Sequence, residues 1–309
     1  MEIGKRVKIS LRRLIPLTVY TALFLANAVS AEETSDNPFW PLSGEYLAEA
    51  TYVGEGDVVR GPRKAVRDFD EIDSDMRLVL TPRTKFGVLR LGAEWERFSF
   101  GLPQNAALPN TLQSFSAIFG LDMQLSDSIL VRVETQPGLY NSGLGHLFWD
   151  DFNMPFVIGG TYIYSPDLQF IVGVSVDVER TYPVVPAAGV RWKIAPQWLL
   201  DGVLPKPRLQ FELSRDVSLY AGATVRAATF RVDDEFGISH GIPRLNHAVV
   251  TYSEIRTGVG FDWKISPIIT LTGEVGYQPY RDFDFYRAEV RYHQDGGAPY
   301  GTISLHGAF

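Results

Sequence analysis

The segment Phe170-Ile-Val-Gly-Val-Ser-Val-Asp-Val-Glu-Arg180 constrains the fold more than any other part of the chain. Phe170, Val172, Val174, Val176 and Val178 put an apolar residue at every second position. Gln169, Ser175, Asp177 and Glu179 share the other parity. A period of two gives a strand with one dry face and one polar face. A soluble sandwich or small barrel turns the apolar row inward and leaves the charges in water. A membrane barrel does the reverse.

The same alternation recurs between turns of one type. Ser126-Asp127-Ser128, Ser165-Pro166-Asp167, Ala195-Pro196-Gln197, Ser214-Arg215-Asp216 and Ser266-Pro267-Ile268 are bracketed by Leu125/Ile129, Tyr164/Leu168, Ile194/Trp198, Leu213/Val217 and Ile265/Ile269. Ser, Pro and Asp nucleate tight turns, and three-residue hairpin loops are common. Loops of three residues set each bracketing pair directly opposite, which fixes every inward parity. Thr81-Pro-Arg-Thr84 reads as a sixth short turn. The connections at the other end, 54–71, 100–110, 139–153, 232–246 and 281–297, are long, polar or glycine-rich. The exceptions are tight connections near Tyr182-Pro183 and Pro205-Lys206-Pro207. Short turns at one end and long loops at the other are the asymmetry of a transmembrane β-barrel.

The runs between these turns predict strands near 44–53, 72–81, 85–99, 111–125, 128–138, 154–164, 168–181, 184–194, 198–204, 208–213, 217–231, 247–265, 269–280 and 298–309. That is 14 strands, or 12 if the short pair around Pro205 is discounted. The expected fold is all-β: a single antiparallel up-and-down transmembrane barrel with both chain ends on the short-turn, periplasmic side. No segment holds a helical period; the nearest candidate is 282–293.

The first residues stand apart. A basic start with Lys5, Arg6, Lys8, Arg12 and Arg13 precedes a short apolar core, and small residues follow at Val29 and Ala31. This is the pattern of a secretory signal peptide cleaved after Ala31. The apolar core is shorter than the roughly 20 residues of a spanning helix, which disfavours an uncleaved anchor. Residues 32–43 then form a short periplasmic lead-in to a barrel over 44–309. Loss of residues 1–31 removes five basic residues and one acidic one, and shifts the formal charge from −7 to −11. Such acidity argues against a nucleic-acid partner. The absence of cysteine excludes thiol chemistry and Cys-ligated metal. No cofactor is implied.

Three features choose the membrane orientation. Tyr164, Trp192, Trp198, Trp263 and Tyr277 fall near strand ends on the outward row, where a ring with a polar tip suits a membrane interface. Gly92, Gly120, Gly173, Gly222, Gly258 and Gly260 punctuate the polar row, as crowded inward positions require. The last strand ends on Phe309, with Leu305, Ile303 and Gly301 on its parity. This ending resembles the terminal signal of Gram-negative outer-membrane β-barrels, in which a final aromatic on an alternating strand is read by the assembly machinery; Gly307 departs from the usual large apolar residue. The mature chain resembles porin-like barrels, among outer-membrane barrel proteins of unknown function. That resemblance implies an outer-membrane location and contact with lipid, lipopolysaccharide and the barrel assembly machinery.

The inward row then carries Asp75, Arg77, Arg90, Glu94, Glu96, Asp122, Arg132, Glu134, Asp177, Glu179, Arg191, Lys193, Arg208, Glu212, Arg226, Glu254, Arg256, Asp262, Lys264 and Glu274. The Ser126 turn sets Asp122 opposite Arg132, and the Tyr182 turn puts Arg191 within diagonal reach of Asp177. These charges either pack the interior as ion pairs or line a water-filled path for small polar solutes. Arg281, Arg287 and Arg291 with Phe283, Phe285, Tyr286 and Tyr292 form a loop that folds into the mouth, contacts lipopolysaccharide or packs on itself. Residues 57–73, of mixed charge, read as a solvated loop. A passive porin-like channel is the leading expectation, and a closed structural or surface-interaction barrel the alternative. A rim hydrolase using His146, Asp150 and Asp151 is the third reading. The sequence reading is of a non-enzyme, since such residue types in one loop are common; separately, the histidines at 146, 240, 247, 293 and 306 have no metal-ligand spacing.

Overall fold

The computed structural model describes residues 43–309 apart from 62, 104–105 and 144–148. The leader with Val29 and Ala31, most of the 32–43 lead-in, and His146 lie outside the described residues. Fourteen strands make the wall. The first seven are β1 (Gly44–Arg60), β2 (Arg63–Leu80), β3 (Gly87–Phe100), β4 (Thr111–Ser126), β5 (Ile129–Thr135), β6 (Phe156–Ser165) and β7 (Leu168–Val176). The rest are β8 (Val184–Ala195), β9 (Trp198–Asp201), β10 (Arg208–Glu212), β11 (Val217–Arg231), β12 (Val249–Ser266), β13 (Ile269–Phe285) and β14 (Ala298–Ala308). Each pairs antiparallel with its chain neighbours, and β14 closes on β1 from Glu45↔Ala308 to Val53↔Tyr300. The short pair around Pro205 belongs to the wall as β9 and β10, so the count is fourteen rather than twelve. Closure leaves no free edge.

The hairpin turns are tighter than three residues. Ser126 pairs with Ile129, Ser165 with Leu168, Ala195 with Trp198 and Ser266 with Ile269, each beside a register shift that absorbs the preceding residue. At the fifth, the amides of Leu213 and Ser214 both donate to Val217 O. The loop is therefore two residues with one bulged residue before it. Beyond the bulge the pairing matches that of a three-residue loop, and Asp122 does stand opposite Arg132. The first turn lies later than Thr81-Pro-Arg-Thr84: Thr84 pairs with Gly87, so the chain reverses at Lys85-Phe86.

The outer surface is apolar around the circumference. All fourteen strands show an exposed large apolar side chain, among them Ile72, Phe115, Val172, Leu209, Val259, Val275 and Ile303. Tyr164, Trp192, Trp198, Trp263 and Tyr277 are all exposed on it. Conversely Glu71, Arg90, Glu134, Glu254, Arg256 and Arg281 are at most 2% exposed. This inverts a soluble protein, in which Lys, Glu, Arg and Asp are almost never fully buried. The rows face as a membrane barrel requires. No described helix is long and apolar enough to cross a membrane, which bears on helices alone.

At the long-connection end the structure departs from irregular loops. The ladder of β1 and β2 runs to Arg60↔Arg63, through residues 54–71. Residues 282–293 are not helical. β13 continues to Phe285, one 3-10 turn spans Tyr286–Ala288, and the ribbon Val290–Asp295 returns between β13 and β1. Gly138–Asn141 pairs with β4 on one side, and Asn141 pairs with Arg231 of β11 on the other. The amide of Ser142 donates to Arg231 O at 3.0 Å. Thus β11, β12, β13, the 290–295 ribbon, β1, β2, β3, β4 and the 138–141 ribbon form a second, smaller closed ring above the fourteen-strand wall. Strands β5–β10 stop below it.

That smaller ring is filled. Phe69, Phe98, Phe100, Phe230, Tyr252, Phe283, Phe285 and Tyr292 join one buried apolar cluster inside it. Tyr252 of β12 meets Phe98 and Phe100 of β3 at ring-centroid distances of 4.8 and 5.4 Å, directly across the interior. The sequence offers Phe283, Phe285 and Tyr292 as loop residues; they are instead part of this core.

Candidate functional site

Below the aromatic core the interior is built from charge. Arg226 of β11 reaches across to Asp73 and, at 2.5 Å, to Glu96. Arg256 of β12 bonds Asp73 at 3.0 Å and Glu254 at 2.7 Å, and Arg281 of β13 bonds Glu71 at 3.0 Å. Arg281 also stacks on the Phe69 ring at 4.1 Å, joining the ion network to the core above. Asp73 and Glu71, read from sequence as part of a solvated loop, are the buried centre of this network.

A second cluster sits toward the short-turn end of β1–β5. Arg90 donates to both oxygens of Glu45 at 3.1 and 2.9 Å and to Glu134 at 3.0 Å. Arg77 donates to Glu134 at 2.9 Å, and Arg132 to Asp122 at 2.5 and 2.6 Å. Bidentate Arg–carboxylate forks of this kind fix geometry strongly. On the opposite wall Arg191 bonds Asp201 at 3.0 Å, not Asp177, because Arg191 pairs with Gln169 far down β7. Lys206 crosses to Glu49 at 3.1 Å, and Arg208 bonds Asp262 at 3.1 Å. Tyr220 and Tyr300 both donate to Glu274, their rings lying over Gly260 and Gly258.

The remaining charges lie near the ends. Glu94 accepts from Gln136 at 2.7 Å. Lys193 and Glu212 are exposed at the short-turn rim. Strand β7 ends at Val176, so Asp177 and Glu179 lie beyond it rather than on it. Asp177 accepts from Asn153 and from the Glu179 amide, both at 3.0 Å. Glu179 bonds Arg287 at 2.9 Å and approaches Arg231 at 3.6 Å, while Thr181 donates to Asp284 at 3.4 Å. The 177–183 turn is in this way latched onto the smaller ring. Beside the latch is a small cleft lined by Tyr140, Asp150, Asn153, Glu179 and Arg231.

Cross-strand register reveals a feature that no single strand carries. Successive directly opposed partners run Glu212, Ser218, Asp262, Thr272, Ser304, Glu49, Asp75, Glu96, Ser114 and Tyr140. The line starts at the short-turn rim and ends in the cleft beside the latch. Every position on it bears a side-chain oxygen, and none bears a nitrogen. Glu45, Glu49, Glu71, Asp73, Asp201, Lys206 and Arg281 complete the interior chemistry. Glu45 and Glu49 could have been read from the parity of β1, whereas the reach of Lys206 across the interior leaves no trace in sequence.

Of the hydrolase constellation only Asp150 and Asp151 are among the described residues. The carboxylate of Asp150 lies 3.5 Å from His247 and its carbonyl accepts from Arg231, whereas Asp151 turns inward to Asn141 at 3.4 Å. No cluster of three or more metal-ligating side chains occurs among the described residues. The C-terminal residues Ile303, Leu305 and Phe309 are exposed on the outer face, and Phe309 exchanges backbone hydrogen bonds with Gly44. Gly307 is explained by Tyr46, its directly opposed partner, whose phenol crosses to donate to Ile268 O at 2.7 Å. A larger residue at 307 would occupy that space.

No protein-family model matches the chain, and no curated protein matches it. Among solved structures it is similar to an outer membrane channel from Pseudomonas putida F1, at 7% identity and TM-score 0.47 over 90% of this chain and 100% of that one. It is also similar to the NanC porin, at 9% identity and TM-score 0.39 over 85% and 98% of the two chains. A third is the toluene transporter TodX of Pseudomonas putida, at 10% identity and TM-score 0.36 over 94% and 95%. The closed fourteen-stranded antiparallel wall with its apolar outer face is the architecture of a transmembrane β-barrel. These likenesses concern architecture, and no activity is carried over from them.

Proposed function

We propose that the protein is an outer-membrane, porin-like channel for small polar solutes whose path is off-axis and closed at rest. The apolar belt supports the location, with the short turns on the periplasmic side. The observation that carries the channel reading is the split height of the wall. The tall strands close into a filled ring, while the shorter β5–β10 stop below it and leave the cleft by Tyr140 at its flank. On that side Gly159, Gly173 and Ala187 put three small inward residues in one row. Solutes would enter at the cleft by Tyr140 once the Glu179–Arg287 latch opens.

A second reading is favoured by the filled ring itself. A packed aromatic core above a satisfied ion network also suits a barrel that is permanently closed. Single-channel recording in planar bilayers separates the two. The wild type is expected to show brief, infrequent steps, and Glu179→Ala or Arg287→Ala to raise the open fraction several-fold. Silence of the wild type and both variants, with the barrel demonstrably folded and inserted, would leave only the closed structural barrel.

A further inference from the structure

The oxygen-only row is an unusual use of a barrel interior. Carboxylates directly opposite one another on neighbouring strands repel, and sheets normally avoid them. Here Glu49, Asp75 and Glu96 stand side by side on β1, β2 and β3. The two outer members are each met by a cation from across the interior, Glu49 by Lys206 at 3.1 Å and Glu96 by Arg226 at 2.5 Å. Asp75 is not. It is 5% exposed, its Oδ1 has no hydrogen-bond partner, and no described cation lies within ion-pair distance of it.

The row one step above, through Tyr220, Gly260, Glu274, Thr302, Thr51 and Asp73, has no basic residue of its own. The cations that reach it, Arg226 and Arg256, are bound at Asp73, and one inward step below Asp75, Arg77 is held by Glu134. Glu274 is held by two phenols rather than a cation. A buried carboxylate without a partner is strongly disfavoured; it either takes up a proton or gains something positive in the space beside it. Opposed Cβ atoms in a sheet are about 4.5–5.5 Å apart, so oxygens along such a row follow one another at short steps. That spacing suits an ion handed from site to site better than one chelated at a point.

We propose that this row is a track for small inorganic cations, and that a cation such as potassium dwells beside Asp75, making the lumen cation-selective. The inference rests on the channel reading and gives it a solute class. Rings and rows of Asp and Glu confer cation preference wherever ions pass close to them. Glu212 at the periplasmic rim and Tyr140 at the cleft would be its two ends.

Two measurements test it, both comparing the wild type with Asp75→Asn, a substitution that relieves repulsion and is expected to leave the barrel folded. In planar bilayers under a KCl gradient, the reversal potential of the wild type is expected to lie on the potassium side. Asp75→Asn is expected to lower the cation-to-anion permeability ratio roughly twofold to fivefold. Steps with no preference, or with anion preference, overturn the track and leave the channel intact. In detergent, at fixed ionic strength, replacing N-methylglucamine chloride by potassium chloride is expected to raise the thermal midpoint of the wild type but not of Asp75→Asn. Were the barrel electrically silent, the channel reading would fall. Occupancy beside Asp75 would then be decided by that midpoint, with an equal response of both proteins to the two salts overturning it.

Discussion

At the scale of single residues, the interior is held by charges that are stable only in company. Arg256 faces Glu254, Asp73 and Glu71 in a space that excludes water. Arg256→Met would leave Glu254 without its short ion pair while Asp73 keeps Arg226 and Glu71 keeps Arg281, and removing one partner of a buried ion pair costs about 3–5 kcal/mol. Urea unfolding in lipid vesicles is expected to show a loss of that order, with a smaller loss for the exposed Arg287→Met. Close packing provides a second check. A Cβ on Gly258 would come within 2.5 Å of the Tyr300 phenol and 2.6 Å of Val275 O. Gly258→Ala is expected to destabilise by about 1–3 kcal/mol, since overpacking forces backbone shifts. Glycine on the inward row was legible in sequence; that Tyr220 and Tyr300 would cover Gly260 and Gly258 was not, because partners across a ladder are set by register.

At the scale of elements, the hairpin turns were the most readable feature of the chain. Large apolar residues on either side of a Ser/Pro/Asp triplet fix which residues face out, and a bulge preserves that parity when the loop shortens by one. Ser214 shows how: its hydroxyl accepts from the amides of Asp216 at 3.3 Å and Val217 at 3.0 Å. Ser214→Ala is expected to cost about 0.5–1.5 kcal/mol in the same unfolding assay without changing the register. What sequence hid lies beyond irregularities of another kind. Asp68 adopts a positive φ of 52°, and the β1–β2 ladder shifts register between Val53 and Val59. Past those points the apolar residues Val58, Val66 and Phe69 still face inward, but strict alternation no longer says so. The β12–β13 ladder shifts likewise between Ile255 and Thr257, after which Arg281, Phe283 and Phe285 point into the core. Extended strands in these places read as loops because their parity had been reset.

At the scale of the whole molecule, fourteen strands at the short-turn end become a smaller ring at the other, and the pairing Arg231↔Asn141 makes the change possible. Nothing local in sequence announces a bridge between ribbons so far apart in the chain. The orientation of the wall, by contrast, follows from the counts of charge and apolar residues on alternate positions. Reversing it would set many charges against hydrocarbon, at up to about 2–4 kcal/mol for each Arg or Lys near the midplane. The chain has no cysteine, so single cysteines can be introduced one at a time from 169 to 175 and spin-labelled in lipid vesicles. Labels at 170, 172 and 174 are expected to collide with oxygen dissolved in the bilayer, and labels at 169, 171, 173 and 175 to be shielded from it. The opposite phase, or no alternation at all, would contradict an outward apolar row and with it the enclosed charges on which the channel and its cation track depend.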